Sequence, residues 1–131
     1  MTEPTKPFFA PQLIISHGVT DISFYKKAFN AIELHSWKND DTTYHVAELS
    51  IQGSIFQIHE EKPEASQFSP EKIHGTTTLI GLFTDDVDLL MKNAIEAGAT
   101  LVSEAQDYDY GYRQGKIKDP FGHCWMIESK I

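Results

Sequence analysis

Six histidines, one cysteine and a tyrosine-rich bend are the side chains of this 131-residue sequence with the most scope for chemistry. His17 falls in a loop before the first expected helix, and His35 and His45 in middle strands. His59 falls at a strand end, His74 in a polar linker and His123 beside a turn. No two of them stand four apart on a helix, the spacing of a metalloprotease-type zinc site, and none has a strong partner two residues away on a strand. His59 is followed by Glu60 and Glu61, but adjacent residues of a strand point to opposite faces, so His59 and Glu60 should not converge. The residues therefore favour exposed or edge histidines. Cys124 is the single cysteine, which excludes an internal disulfide and a CxxC zinc site. It lies in an expected strand with no activating pattern beside it and reads as a small inert side chain. The bend Tyr108, Tyr110, Gly111, Tyr112, Arg113 offers planar aromatic contact, a hydroxyl handle and a fixed cationic fork.

The elements that must position these residues come in two copies. Glu48 to Gly53 leads into Ser54–Glu60 much as the turn Asp119-Pro120-Phe121-Gly122 leads into His123–Ser129. Gly53 matches Gly122, Phe56 matches Trp125, Gln57 matches Met126 and Ile58 matches Ile127, all at an offset of 69 positions. Such an offset marks a duplicated supersecondary unit. In the first unit, Ala10–Ser16 reads as a strand. Thr20 then caps a helix with Ile22, Tyr25 and Phe29 on its apolar face, ending near Asn30. Strands follow at Ile32–Trp37, Thr42–Ile51 and Ser54–Glu60. Residues 61–75, with two prolines and several charges, read as a linker. In the second unit a strand over Thr76–Phe83 precedes a helix capped by Thr84 or Asp85. Val87, Leu90, Met91, Ala94 and Ile95 form its face, with Asp86 and Asp88 in the first turn, and Gly98 stops it. Thr100–Glu104 and the terminal hairpin complete a second β-α-β-β-β order; residues 1–9 are a loose lead-in. The predicted fold class is α+β, in one domain with repeats at about 8–60 and 76–130.

Composition sets outer bounds. Hydrophobic residues make up 40% and charged residues 23%, ordinary for a globular domain of a size that can bury a core. The net charge of −8 repels phosphate backbones, so no nucleic-acid partner is expected. No apolar run is long enough to span a bilayer, and residues 1–7 lack the core of a signal peptide, so a cytoplasmic protein is expected.

The paired units, FYKKAF (24–29), HVAELSIQGSIFQI (45–58), TDDVD (84–88) with AIEAGATL (94–101), and GYRQGKIKDPFGHCWMI (111–127) together resemble the glyoxalase/bleomycin-resistance/dioxygenase family, the vicinal oxygen chelate superfamily. The resemblance covers residues 8–130. It implies an eight-stranded open cup with helices on the convex side, and a homodimer. It also implies, in the family's enzymes, one divalent metal held by His and Glu from the first and last strand of each unit. Those positions fall on Gln57 and Met126, on Leu79 (or Thr78 with a slip of one), and near Ala10 to Gln12. None is His, Asp or Glu. Leu and Ala offer no lone pair, Met suits soft metals, and a neutral Gln carbonyl is a feeble ligand alone. No metal cofactor is therefore expected.

With those positions replaced, the cup becomes a mixed apolar pocket for a small organic ligand. Alternation puts Leu79 and Phe83 on one face with Gly81 between them, and Met126 with Cys124, while Trp125 and Ile127 point to the helices. Gln12, Gln57, Leu79, Phe83, Tyr110, Arg113 and Met126 are the expected ligand-binding residues. In drug-binding relatives an aromatic residue at the place of Tyr110 stacks on the ligand. The alternative is that Tyr110 and Tyr112 cover a dimer seam and Arg113 pairs with an acid. A metal-independent binder that sequesters an antibiotic or toxic compound is the leading expectation. A metal-dependent lyase or dioxygenase and a non-catalytic interaction module are the alternatives.

Overall fold

The computed structural model describes residues 6–131. The lead-in expected over 1–9 lies outside the described residues for 1–5; residues 6–11 carry no regular structure. The first unit comprises β1 (Gln12–Ile15), α1 (Phe24–Phe29), β2 (Ile32–Lys38), β3 (Tyr44–Ile51) and β4 (Ser54–Glu60). A 3-10 turn (Pro63–Ala65) and a short helix α2 (Pro70–Ile73) follow. The second unit comprises β5 (Leu79–Phe83), α3 (Val87–Glu96), β6 (Thr100–Tyr108), β7 (Tyr112–Lys118) and β8 (Cys124–Lys130).

The duplication carries through to topology. The first sheet runs β1-β4-β3-β2 and the second β5-β8-β7-β6, each with one parallel pair and two antiparallel pairs. Gly53 and Gly122 hold φ of 87° and 95° at the equivalent turns, a region open to glycine and strained for other residues. Edge strands β1 and β5 both line a cleft of about 590 Å³, and the two four-stranded sheets do not close into a barrel.

Alternating residues send one face of each sheet to the core. Ala47, Leu49, Phe56 and Ile58 of the first sheet, and Ile117, Trp125 and Ile127 of the second, are buried on that side. Helix α1 seals the junction. Tyr25 is fully buried, with its ring centroid 5.3 Å from Phe56, 5.9 Å from Phe121 and 5.9 Å from Trp125. Such aromatic pairs add about 0.5–1.5 kcal/mol each beyond the area they bury. Helix α3 lies over β7, where Gly115 makes room. A Cβ on Gly115 would stand 2.8 Å from the Met91 methyl.

The helix ends differ from the expected ones. Thr20 does not cap α1; the helix starts after Ser23, whose amide is held by Asp21 Oδ1 at 2.8 Å in an Asx turn. Asn30 ends it in the left-handed conformation, φ 57°, as its side chain tolerates. Helix α3 is capped by Asp86, which accepts from Leu89 N at 3.1 Å, rather than by Thr84 or Asp85. The linker 61–75 is also structured. Ser69 is fully buried and donates its amide to Glu61 Oε2 at 2.8 Å, while Pro70 packs against the turn at Gly122.

Candidate functional site on the open face

The opposite face of each sheet is left uncovered, and pairing register shows what it carries. Residues paired across strands share a face. On the first sheet, Gln12 and Glu48 both pair with Gln57, and His35 pairs with Glu48. On the second, Leu79 pairs with Cys124, Gly81 with Met126 and Phe83 with Glu128. Across β7 the same face continues as Lys118, Lys116, Gln114 and Tyr112.

The expected residues divide accordingly. Gln12 Nε2 donates to Gln57 Oε1 at 2.7 Å, so two of them are joined directly. Leu79, Phe83 and Met126 share the open face of the second sheet. Tyr110 reaches it from the β6–β7 turn, donating its hydroxyl to Gln114 Oε1. Arg113 does not join them. Alternation on β7 turns it to the helix side, where it forms ion pairs with Asp88 of α3 at 2.7 Å and Asp107 of β6 at 3.0 Å. Both hydrogen bonds raise its pKa further above the ordinary guanidinium value. The pairing with an acid, weighed from sequence as the alternative, is the arrangement present.

Two residues that the sequence reading did not single out sit at the centre of this face. Gln114 accepts from Tyr110 and donates Nε2 to Glu128 Oε1 at 2.8 Å. Glu128 is only 8% exposed. The alternation that placed Cys124 and Met126 together extends two residues further to Glu128, so the signal was present in the strand pattern. Aromatic rings line the same region: Tyr108 stacks on Tyr110 at 5.2 Å, Tyr110 lies 5.9 Å from Tyr112, and Tyr112 lies 6.4 Å from Phe83. The phenol of Tyr110 has a raised pKa, through loss of hydration first and then through Tyr108, Glu128 and Asp109; it stays a neutral donor at neutral pH.

A second polar cluster lies at the end of the first sheet. His17 Nδ1 stands 3.0 Å from Glu60 Oε2 and His45 Nδ1 2.8 Å from Glu60 Oε1, with Asn39 Nδ2 donating at 3.3 Å. Burial pushes the Glu60 pKa up, but the bonds from His45, His17 and Asn39 together outweigh it and leave it lowered. His17 and His45 are exposed, as expected, and are drawn together at Glu60 by a long-range contact that no sequence spacing reveals. His59 does not join them through Glu60's carboxylate; its ring meets the Glu60 backbone carbonyl at 2.6 Å.

Comparison with known proteins places this arrangement. The family model described as Glyoxalase/Bleomycin resistance protein/Dioxygenase superfamily matches residues 20–127. The chain belongs to that family. An uncharacterized protein of Mycobacterium bovis is 34% identical over 129 residues, covering 96% of this chain and 85% of its own length. The X-ray structure of a gene product from Arabidopsis thaliana superposes with a TM-score of 0.70 at 26% identity, covering 95% of this chain and 100% of that one. A genomically encoded fosfomycin resistance protein of Listeria monocytogenes, solved with manganese(II) and sulfate, superposes with a TM-score of 0.68 at 18% identity over 98% of this chain and 93% of that one. At that identity the likeness is one of fold alone.

The residues to which the resemblance carries the family's metal positions do not suit a divalent ion. Leu79 has no donor atom, Met126 offers a thioether, and the Gln12 and Gln57 amides are engaged with each other. Among the described residues no three His, Cys, Asp or Glu side chains are arranged to hold a metal ion. Also among the described residues, no helix is long and apolar enough to cross a membrane.

Proposed function

We propose that this protein is a metal-independent binder of a small organic molecule, held on the open face of the cup. The observation that supports the reading is the Gln12–Gln57 bond. The family resemblance carries the metal positions to Gln57, Met126, Leu79 and the region of Ala10 to Gln12, and there the two amides engage each other beside a leucine and a methionine. What remains is an apolar floor of Leu79, Gly81, Cys124 and Met126 beside an aromatic row and a few fixed polar groups, the composition of a ligand pocket. Sequestration of an antibiotic or toxic compound in a reducing cytoplasm fits such a pocket.

A second copy of the chain is the proposed partner. Ile32, Leu34 and Trp37 on edge strand β2, and Leu101 and Val102 on edge strand β6, are exposed and would be covered in a homodimer. Light scattering after size exclusion should give twice the chain mass of 14.8 kDa.

The pocket is tested by a thermal-shift screen run in excess EDTA, because a ligand that binds only the folded chain raises its Tm. A compound that raises the Tm equally with and without EDTA, and loses its effect in Met126→Arg, supports the reading. Hits that vanish in EDTA overturn it.

A further inference from the structure

Glu128 stands apart from the other buried carboxylates. Asp119, 3% exposed, has both oxygens filled by four donors: Phe121 N and His123 N on Oδ1, Tyr25 Oη and Trp125 Nε1 on Oδ2. Glu61 receives the Ser69 amide. Glu128, 8% exposed, receives one neutral donor, Gln114 Nε2, on Oε1. Its Oε2 lies over Gly81, only 2.9 Å from where a Cβ would be. Among the described residues no Lys, Arg or His nitrogen is within ion-pair distance of it; the ion pairs formed are those of Glu60, Asp88 and Asp107. Among the described residues Oε2 has no hydrogen-bond partner, and it still reaches water, so an incoming group can meet it. Covering it with a ligand that brings no positive group would be costly.

The surroundings suit such a group. Phe83 pairs directly with Glu128, and the row Phe83, Tyr112, Tyr110, Tyr108 continues from it at ring separations of 6.4, 5.9 and 5.2 Å. Ring faces attract cations and ring bodies bury apolar groups. Gln114 is held between Tyr110 and Glu128, which leaves its amide no freedom to turn and fixes the carboxylate. The lysines of the same face are Lys116 and Lys118, which pair with Met126 and Cys124 one and two steps before Glu128, and Lys130, exposed one step beyond it and paired with Tyr112; none of the three forms an ion pair with Glu128.

We propose that Glu128 and the row from Phe83 to Tyr108 recognise an organic cation, an ammonium group carried on an apolar body that lies over Gly81 and Met126. The assignment rests on the open face being a ligand pocket and gives the charge class of its ligand. The ammonium donates to Glu128 Oε2 in a charge-assisted hydrogen bond, and the rings cover the apolar body.

The test uses full-length protein with carbon-13 labelled methionine methyls. Of the three methionines, Met126 reports the open face and Met91, buried beside Gly115, is an internal control. The probes are 2-phenylethylamine, 2-phenylethanol and 3-phenylpropionate, which share a shape and differ in charge. The amine should shift Met126 and leave Met91 in place, with a Kd about tenfold or more below that of the alcohol. Glu128→Gln should cost the amine about tenfold while changing the alcohol by about twofold or less. Gly81→Ala, which displaces Oε2 without removing it, should act in the same direction. An amine that binds no tighter than the alcohol, or that is indifferent to Glu128→Gln, overturns the charge assignment and leaves the pocket standing. If none of the probes moves Met126, the pocket fails, and the cation site fails with it.

Discussion

The Tyr25 hydroxyl donates to Asp119 Oδ2 at 2.6 Å, joining the first helix to the terminal hairpin across 94 residues. Trp125 Nε1 donates to the same oxygen at 3.0 Å. One buried carboxylate therefore holds both units of the duplication and the strand that carries Met126 and Glu128. Asp119→Asn would turn an amide toward two of the four donors, and should destabilise by about 2–4 kcal/mol, read as a drop in the urea midpoint. Tyr25→Phe removes one donor and keeps the ring, so it should cost about 1–2 kcal/mol. An unchanged midpoint in Asp119→Asn would show that the carboxylate does not bind the units together.

The same contact gives alkaline sensitivity. Burial first, and the charge of Asp119 second, raise the Tyr25 pKa well above its ordinary value of 10.0. The folded chain thus favours the neutral phenol more than the unfolded chain does. That contribution is fully present below pH 10.0 and is lost as pH rises from there through the folded value. Unfolding free energy measured from pH 9 upward should fall in the native protein and fall less steeply in Tyr25→Phe. Parallel curves would contradict the burial of that hydroxyl.

Tyr110 and Arg113 are neighbours in the bend, and the structure separates their roles. Tyr110→Ala removes the middle ring of the aromatic row and the donor to Gln114, so it should weaken an open-face ligand about tenfold with far-UV circular dichroism unchanged. If the substitution instead dissociates a dimer without altering binding by the dissociated chain, Tyr110 belongs to an interface.

Arg113→Ala should leave open-face affinity within about twofold, because its guanidinium is held by Asp88 and Asp107 on the helix side. A large loss of affinity would mean that Arg113 turns into the cup when ligand binds.

The duplication, the strand order within each unit and the inward positions of Trp125 and Ile127 were legible because they are periodic. An offset of 69 positions and a period of two residues survive without any knowledge of tertiary contacts. The family resemblance carried the metal positions to Gln57, Met126, Leu79 and the region of Ala10 to Gln12, and in the structure Gln12 and Gln57 bond to each other. Arg113 was assigned to the pocket because its face depends on the register of β7 against β8, which the bend before Tyr112 leaves open. The gathering of His17 and His45 at Glu60 joins the β1–α1 loop to β3 and β4, and nothing local encodes it. The start of α1 was misplaced because Thr20 and Ser23 are equally good caps by type. The Asx turn at Asp21 decides between them.

Metal independence is the centre of this reading, and the metal content of untagged protein, purified without chelators and measured by elemental analysis, tests it most directly. Zinc, nickel, iron and manganese should each be well below stoichiometric, under about 0.1 equivalent per chain, since the positions concerned hold a bonded amide pair, a leucine and a methionine. About one equivalent of any of them per chain would contradict the proposed function and direct the search for ligands to the histidines.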